Sequence, residues 1–467
     1  MTAREHAAPA RMSRVAVVAD EARLRDALAV VADSGSVELA GTPPAPDGPA
    51  LEALRRLERA AAGNGRVEPR IAHAPAAPGE LEQAGRRDLL HGEVELGRRA
   101  AGALRHGRYA AVLGWAPSEE LEDLHSRLAA VGAGLVELPA PAWVEPPTLL
   151  REAGLARPFR PLVDTYGALR YRDVDPTPFA AVSFVLMFGM MFGDVGHGLL
   201  LALLGLLLAR AGGERLAPVR GLWPFLVAGG AAGALFGLLY GEAFGPTEIV
   251  PTLWLAPTEE PLEFLAAGIA VGAVLLSVSY ALGTVNRWRE EGGLSALVAP
   301  SGIAGFLLFL GLGTAAAGVY AASTPFALLG GAGALAGVLL LGAGFHAGAG
   351  RGAAAVTQAT VEIVDAVVRV VANVISFTRL AAFGLMHAAL GAVVWDATTA
   401  LWGGAAGSAL AVATFVLGNA LTFTLEALVA GVQALRLEYY ELFSRIFAGE
   451  GHRFSPWHIP LDSRKES

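Results

Sequence analysis

The sequence predicts an α-helical polytopic membrane protein with an N-terminal α+β domain, and three observations support this fold class. Only 17% of the 467 residues are charged and 54% are hydrophobic, whereas soluble globular proteins carry about 25% charged residues. Up to about residue 175, charged helical stretches alternate with short apolar runs, but long apolar blocks rich in Gly, Ala and Leu follow from Pro176 onward. We therefore expect an aqueous domain at 1–175, a transmembrane domain at 176–450 and a C-terminal tail at 451–467.

The N-terminal domain contains a strand–helix–strand order twice. This order occurs at 14–20, 21–33 and 36–40, and again at 109–115, 118–131 and 135–138. Two charged helical segments, 51–62 and 80–106, lie between the two copies. The pattern predicts two α+β lobes joined by a short helical hairpin, although one compact α+β domain fits it nearly as well. Because residues 1–15 lack the apolar run of a signal peptide, we expect this domain to stay in the cytoplasm.

Eight apolar blocks follow, and the charges between them predict eight transmembrane helices. The blocks lie at 178–192, 194–209, 222–241, 262–285, 299–321, 325–347, 358–397 and 403–447. Basic residues follow only the even-numbered blocks: Arg210, Arg215 and Arg220; Arg287 and Arg289; Arg351; Arg453, Arg464 and Lys465. Since cytoplasmic loops carry the excess of Lys and Arg, eight spans place every basic loop and both termini in the cytoplasm. If the first two blocks formed one helix, seven spans would leave the N-terminal domain opposite the basic loops.

The last two blocks are longer than a bilayer requires. A helix over 358–397 would be about 60 Å long at ~1.5 Å per residue, against a hydrocarbon core of about 30 Å. No proline interrupts this block. We therefore predict that the last two helices are long and steeply tilted, without a break.

Polar residues in these two blocks recur at helical spacing. In the seventh block they share one helical face: Glu362, Asp365, Arg369, Asn373, Ser376, Arg379 and His387. The eighth block repeats the pattern with Asn419, Thr422, Glu426, Gln433 and Arg436. A charged side chain at the centre of a membrane costs roughly 3 kcal/mol on insertion scales. The two stripes therefore predict a water-accessible path or a surface that meets a charged partner.

Several of these residues also have a simpler interpretation. An arginine near a helix end can extend its guanidinium to the membrane interface. This interpretation remains open for Arg436. It fits Arg379 less well, because Arg379 lies near the middle of its block. Glu362 and Asp365 could belong to a solvated helix start. His387 could be a hydrogen-bonded core histidine.

A glycine-rich motif joins the first two blocks. Residues 188–199 have the sequence FGMMFGDVGHGL. Its glycines permit close helix packing or a tight turn: Gly189, Gly193, Gly196 and Gly198. Asp194 and His197 are three residues apart and can pair. We interpret the motif as helix packing, because two ligands are too few for a metal site.

Composition excludes several classes of function. The absence of cysteine excludes disulfides, zinc–thiolate sites and iron–sulfur clusters. A net charge of −8 without a basic stripe argues against binding to nucleic acid. The single lysine, Lys465, does not follow glycines in a G-x-x-x-x-G-K-[ST] loop. We therefore expect no ATP site of this type, no cofactor and no metal in this chain.

Four stretches of the sequence resemble the a/I subunit family of V-type and archaeal-type ATPases. They are FGMMFGDVGHGLLL (188–201), LLYGEAFG (238–245), ISFTRLAAFGLMHAAL (375–390) and EALVAGVQALRLEYYELFSRIFAGEGHRFSPW (426–457). Two further stretches, GWAPSEELEDL (114–124) and PPTLLREAGLARPFRPLVDTYGALRYRDVDPTPF (146–179), extend the resemblance into the N-terminal domain. In that family one membrane subunit provides the ion half-channels beside a rotating ring. The resemblance covers the whole membrane region and part of the N-terminal domain. Family members usually carry long coiled-coil arms between two lobes, and the helices at the corresponding place here are short.

The resemblance implies a role for individual residues. Arg379 matches the essential channel arginine, and Arg436 matches the second arginine, with Glu426 ten residues before it. His387 and Asp365 fall on family positions eight residues after and fourteen before the channel arginine, and Ser376 and Gln433 complete the expected ion-translocation set. The family also implies partners: a proteolipid rotor ring, peripheral-stalk subunits, a central-stalk subunit and membrane lipid.

Two other classes of function remain as alternatives. A secondary transporter would hold a substrate at mid-membrane, but the polar patterns of the first and last four blocks show no inverted repeat. A membrane scaffold would have no transport role. The sequence leaves open whether the ion is H⁺ or Na⁺ and whether the complex works as a pump or a synthase.

Overall fold

The computed structural model describes residues 9–60, 67–141, 143–150, 156–349, 353–447 and 449–462. It divides into two compact units. The first, here the sheet unit, comprises the described residues within 8–151, 169–171 and 451–462. The second, here the helical unit, comprises those within 156–168 and 172–450. Arg351, Arg464 and Lys465, which contribute to the loop charges, lie outside the described residues.

The sheet unit is built on one five-stranded antiparallel sheet. Its strands are β1 Met12–Asp20, β2 Glu38–Leu39, β3 Leu104–His106, β4 Tyr109–Pro117 and β5 Gly134–Leu138. β1 lies between β4 and β5, and both β2 and β3 pair with β4. The strands of both predicted units therefore lie in a single sheet. This arrangement agrees with the alternative of one α+β domain and not with two separate lobes.

Five helices complete this unit: α1 Leu24–Ser34, α2 Pro49–Ala60, α3 Pro78–Gln83, α4 Arg87–Ala101 and α5 Leu121–Ala130. Alternate side chains of β1, Val15 and Val17, are buried against Leu28 and Val31 of α1. The charged helices α2, α3 and α4 enclose a small core of their own around Leu54 and Leu90. The predicted hairpin segments thus fold as a short helical cluster.

The C-terminal segment 451–462 packs into the sheet unit. The Trp457 amide donates to Val37 O at 2.9 Å, and the Ile459 amide donates to Ala32 O at 3.1 Å. Both side chains lie in the same core as β1 and α1. Arg86 donates to Asp462 at 2.6 Å. The described part of the predicted tail therefore belongs to the N-terminal domain.

The helical unit contains the apolar blocks. Its helices are α6 Arg160–Tyr166, α7 Thr177–Met191, α8 Val195–Arg210, α9 Ala217–Arg220, α10 Trp223–Tyr240, α11 Pro261–Glu291, α12 Gly293–Val298, α13 Ile303–Tyr320, α14 Thr324–Ala349, α15 Ala353–Ser376, α16 Thr378–Ala400, α17 Gly404–Leu437 and α18 Ser444–Ile446. A π-helix, Glu438–Phe443, joins α17 to α18.

Five helical segments in the described part of the chain are long and apolar enough to cross a membrane. They are Trp223–Tyr240, Pro261–Glu290, Gly293–Tyr320, Thr324–Ala349 and Gly404–Ile446. Two shorter apolar helices, α7 and α8, precede them. The chain is therefore a mostly helical, multi-pass membrane protein, and the number of eight spans stays a prediction.

The chain reverses direction between α7 and α8. Both helices contact α10, but in opposite directions. Later residues of α7 contact later residues of α10, as in Phe184–Phe225 and Gly189–Ala232. Later residues of α8 contact earlier residues of α10, as in Gly198–Ala234 and Gly205–Val227. α7 and α8 are therefore antiparallel helices and not one continuous helix. Asp194 begins α8, because its side chain accepts a hydrogen bond from the His197 amide at 2.8 Å.

The seventh apolar block is interrupted, although we predicted an unbroken helix. α15 ends at Ser376 and α16 begins at Thr378. At the break, the amides of Phe377 and Leu380 donate to carbonyl groups three residues earlier, which tightens the turn. The buried ring of Phe377 lies against Gly272 of α11, where a Cβ would be 2.2 Å from Phe377 Cγ. The break therefore occurs where this ring packs against a glycine. We predicted no break because the block contains no proline.

Candidate functional site

Arg379 lies in the first turn of α16, directly after the break in the seventh block. Its Nε donates to Ser376 O at 3.1 Å, and its Nη2 donates to Ser376 Oγ and to Glu441 Oε1, the latter at 3.0 Å. Ser376 Oγ also donates to Glu441. The Arg379 side chain is 24% exposed and the Glu441 side chain 8%. These three residues are called the arginine cluster below.

Sequence reasoning missed Glu441. It stands on the π-helix, where the wider turn changes the face on which side chains project, so the spacing of the eighth stripe does not reach it. A usable signal was present, because an acidic residue inside an apolar block is costly to keep. Glu438, on the same π-helix, is fully buried and accepts from Ser183 Oγ at 2.8 and 2.9 Å.

A second polar group, the histidine cluster, consists of Asp194, His197, His387 and Glu426. All four side chains are buried, and ligand atoms of Asp194, His197 and His387 lie within 4.8 Å of one another. His387 Nδ1 contacts the Glu426 carboxylate. The two imidazole centroids are 5.5 Å apart. The structure thus brings the glycine-rich motif next to two residues of the expected ion-translocation set.

The motif glycines lie where neighbouring groups approach closely. A Cβ at Gly198 would be 2.3 Å from Ala234 N of α10, and one at Gly189 would be 2.6 Å from Ala232 Cβ. At Gly193 and Gly196, a Cβ would be 2.4 Å from the rings of Tyr240 and Phe244, respectively. Close packing at these glycines holds Asp194 and His197 inside the helical unit.

Arg436 does not join either cluster. It is exposed, and within the described residues no ion pair or hydrogen bond involves it. It follows an exposed apolar stripe on α17: Leu417, Leu421, Leu425, Leu428 and Val432. Gln433 is half-buried, and its Oε1 makes no hydrogen bond within the described residues. The structure therefore leaves the guanidinium of Arg436 available on an open helix face.

Asp365 also lies apart from the arginine cluster. It forms an ion pair with Arg369 one turn later on α15, and both side chains are more than half exposed. A cavity of about 180 Å³ is lined by these two residues, by Glu362 and by Arg445, together with apolar side chains of α13 and α14. The buried Arg445 guanidinium stacks over the Tyr280 ring at 5.2 Å. Charged groups of both signs therefore surround this cavity.

Comparison with known proteins relates both clusters to one family. The model of the V-type ATPase 116kDa subunit family matches residues 105–216 and 351–459. These ranges contain every member of the arginine and histidine clusters.

Several curated relatives are named as subunits I of ATP synthases. The A-type ATP synthase subunit I of Pyrococcus horikoshii is 26% identical over 79% of this chain and 57% of its own length. That of Halobacterium salinarum is 29% identical over 67% of this chain and 51% of its own length. The V-type ATP synthase subunit I 2 of Treponema pallidum is 32% identical over 48% of each chain. This chain thus spans about half the length of the curated relatives it matches.

Proposed function

We propose that this chain, a relative of the V-type ATPase 116kDa subunit family and of the A-type ATP synthase subunits I, is the ion-channel stator subunit of a rotary ATPase. It would be non-catalytic and would provide two half-channels for H⁺ or Na⁺ beside a proteolipid rotor ring. Its remaining partners would be peripheral-stalk subunits, a central-stalk subunit and the lipid of the cell membrane. The ATP-hydrolysing or ATP-synthesising head would couple to this path through the rotor.

The observation that carries the proposal is the geometry of Arg379. Its guanidinium is held by Ser376 and Glu441 yet keeps 24% of its side chain exposed. Met386 and Leu390, seven and eleven residues later on α16, share its helical face and are exposed apolar side chains. A fixed positive charge at the edge of an apolar surface suits a partner that carries a carboxylate within a membrane.

This arrangement supports a mechanism of ion exchange. A rotor carboxylate facing lipid is protonated, because a bare charge there is costly. When it meets Arg379, the guanidinium favours the ionised form and the proton is released. Arg436, on the neighbouring apolar face of α17, would stabilise the same carboxylate. Since guanidinium stays charged at working pH, the arginines also prevent a direct leak between the half-channels.

The other polar side chains would line the half-channels. Buried His387 and Glu426 are in contact between α16 and α17, which supports a role in one of the two paths. Asp365 beside the charged cavity and Gln433 with its unpaired oxygen would contribute to the water-accessible lining. The imidazole and the carboxylates would accept and donate protons, and the Gln433 amide would hydrogen-bond to water.

Three observations support eight spans with both termini in the cytoplasm. α7 and α8 are antiparallel, which supports two crossings by the first two apolar blocks. Five further helical segments are long and apolar enough to span, and α15 with α16 would supply the eighth crossing. The basic loops follow the even-numbered blocks, which supports a cytoplasmic location for those loops and for the sheet unit.

The substitution Arg379→Ala tests the proposed function. In the assembled complex reconstituted into sealed vesicles, we expect ATP-driven acidification to be lost, while co-purification with the rotor ring is unchanged. Arg289→Ala provides the matched control, because Arg289 lies exposed in the last turn of α11, and we expect it to acidify like the unmodified complex. Normal acidification by the Arg379→Ala complex would refute the assignment.

A further inference from the structure

We propose that the histidine cluster is a binding site for a divalent transition-metal ion, with Zn²⁺ as the favoured occupant. Its ligands would be one carboxylate oxygen each from Asp194 and Glu426 and one ring nitrogen each from His197 and His387. The sequence offered only Asp194 and His197 for such a site. The fold adds two ligands from distant parts of the chain, His387 on α16 and Glu426 on α17. This inference goes beyond the proposed function: it rests on the contacts of the four residues alone, and an ion bound there would occupy the half-channel that we assign to His387 and Glu426.

The distances suit a small ion. Three atoms that all lie within 4.8 Å of one another can be no more than about 2.8 Å from a common centre. Zinc binds nitrogen and oxygen ligands at about 2.0–2.2 Å. Each ligand of the triad Asp194, His197 and His387 therefore has to move inward by less than about 1 Å to coordinate the ion. Glu426 lies outside this triad but contacts His387, so its carboxylate would have to move further to take the fourth position of a tetrahedral site.

Several candidate ligand atoms lack a hydrogen-bond partner. Within the described residues, neither ring nitrogen of His197 makes a hydrogen bond of good geometry, although the Asn419 amide lies beside the ring. The Glu426 carboxylate is likewise buried; its Oε2 contacts His387 Nδ1, and its Oε1 makes no hydrogen bond there. His197 is 1% exposed and Glu426 5%. Polar atoms buried to this extent are almost always paired, and a bound cation would satisfy these groups together.

The positions of the ligands are fixed by the surrounding structure. Asp194 Oδ1 accepts from the His197 amide at 2.8 Å and Oδ2 accepts from the Gly245 amide at 2.9 Å, so its carboxylate is oriented from the backbone. The rings of Phe192, Phe244 and Phe423 pack around the two imidazoles. Hydrogen bonds to a ligand and an apolar surround are features of metal sites in proteins.

The charges balance inside the helical unit. Two ionised carboxylates neutralise a divalent cation, and two neutral imidazoles complete its coordination without adding charge. The site would therefore hold the ion with no net charge, which reduces the cost of placing it away from water. An imidazole–carboxylate set of this kind favours zinc and neighbouring transition metals over Mg²⁺ and Ca²⁺, which prefer oxygen ligands alone.

Direct binding of Zn²⁺ to the purified full-length chain in detergent tests this site. We expect titration calorimetry with a competing chelator to give one strong site per chain. X-ray absorption should give a first shell of four nitrogen and oxygen atoms at about 2.0–2.1 Å, with the outer-shell signal of two imidazoles. Zn²⁺ should also raise the unfolding temperature, since it binds only the folded state.

Substitution of the ligands separates this site from adventitious surface binding. We expect His197→Gln and His387→Gln each to weaken Zn²⁺ binding by about tenfold or more and to remove the rise in unfolding temperature. His346→Gln, at an exposed histidine on α14, is the control and should bind like the unmodified chain. The unfolding temperature of each variant without metal shows whether that variant is folded. If a histidine variant is not folded, Asp194→Asn is tested in its place, because asparagine can still cap α8.

The proposal is overturned if the unmodified chain shows no strong site. It is also overturned if the His197→Gln and His387→Gln variants bind Zn²⁺ as tightly as the His346→Gln control. A first shell that contains only oxygen in the X-ray absorption spectrum would also overturn it, because the metal would then be bound by surface carboxylates and water. None of these readouts requires ion translocation, so failure of the metal site and failure of the proposed function can be told apart.

Discussion

Arg379 already has an anionic partner within its own chain. Glu441 accepts from its guanidinium at 3.0 Å, and Ser376 hydrogen-bonds to both residues. In the proposed mechanism, a rotor carboxylate must therefore share the guanidinium with Glu441 or displace it. The five N–H donors of arginine allow both carboxylates to be held during the exchange. Glu441 then sets how firmly Arg379 binds the rotor.

The substitution Glu441→Gln should slow ion translocation. The amide keeps the shape of the side chain but loses its charge, so Arg379 would hold the rotor carboxylate too tightly. A charge-assisted hydrogen bond contributes about 1.5 kcal/mol or more, which corresponds to about a tenfold lower rate. The measurement is the initial rate of ATP-driven acidification in reconstituted vesicles, with rotor-ring co-purification as a check on assembly.

The control for this substitution is Glu263→Gln, at an exposed glutamate in the first turn of α11. We expect that variant to translocate at the original rate. An unchanged rate in the Glu441→Gln complex would mean that Glu441 has no part in the exchange.

Residue spacing predicted four of the seven members of the two clusters. Arg379 lies beside Ser376, and His387 contacts Glu426, all four from the predicted stripes. Arg436 faces outward, because its place at the end of α17 follows a run of exposed leucines. Spacing within one helix cannot predict contacts between distant segments, which is why Asp194 and His197 were interpreted only as part of a packing motif.

At the scale of elements, apolar length predicted helices and missed their irregularities. The first six apolar blocks correspond to α7, α8, α10, α11, α13 and α14. The break at Phe377 and the π-helix at Glu438–Phe443 were not predicted. Both depend on partners from other helices, Gly272 for Phe377 and Ser183 for Glu438. The composition of one segment cannot predict which residues of other helices it will contact.

Glycine packing between α13 and α14 gives a prediction with an internal control. A Cβ at Gly330 would lie 2.2 Å from Ala315 N, whereas one at Gly331 would meet nothing within 4 Å. We expect Gly330→Ala to destabilise the helical unit by about 1–3 kcal/mol, because the two helices must move apart. Gly331→Ala should leave stability unchanged or raise it slightly, since alanine favours helix over glycine.

Thermal unfolding of the two variants in the same detergent measures this difference. The adjacent positions share one helix and the same change in side chain, so helix propensity cancels between them. Equal unfolding temperatures would show that the close approach of α13 and α14 does not limit stability.

At the scale of the whole molecule, the path of the chain restricts the number of membrane crossings. Residues 9–150 and 451–462 belong to the same sheet unit, joined by the Trp457–Val37 and Ile459–Ala32 hydrogen bonds. We expect this compact unit to lie in water on one side of the membrane, and the chain between its parts would then cross an even number of times. This argument uses no loop charges, and it favours eight spans over seven independently of the positive-inside rule.

Single cysteines test this topology directly, because the natural chain contains none and each introduced thiol is unique. We expect Arg215→Cys to react with a membrane-impermeant maleimide from the same side as Leu104→Cys, an exposed position of the sheet unit. Glu259→Cys, exposed before α11, should react only from the opposite side. If α7 and α8 crossed as one helix, the sides of positions 215 and 259 would be exchanged. Labelling of intact and inverted vesicles distinguishes the two patterns, and the exchanged one would refute both the eight spans and the even number of crossings.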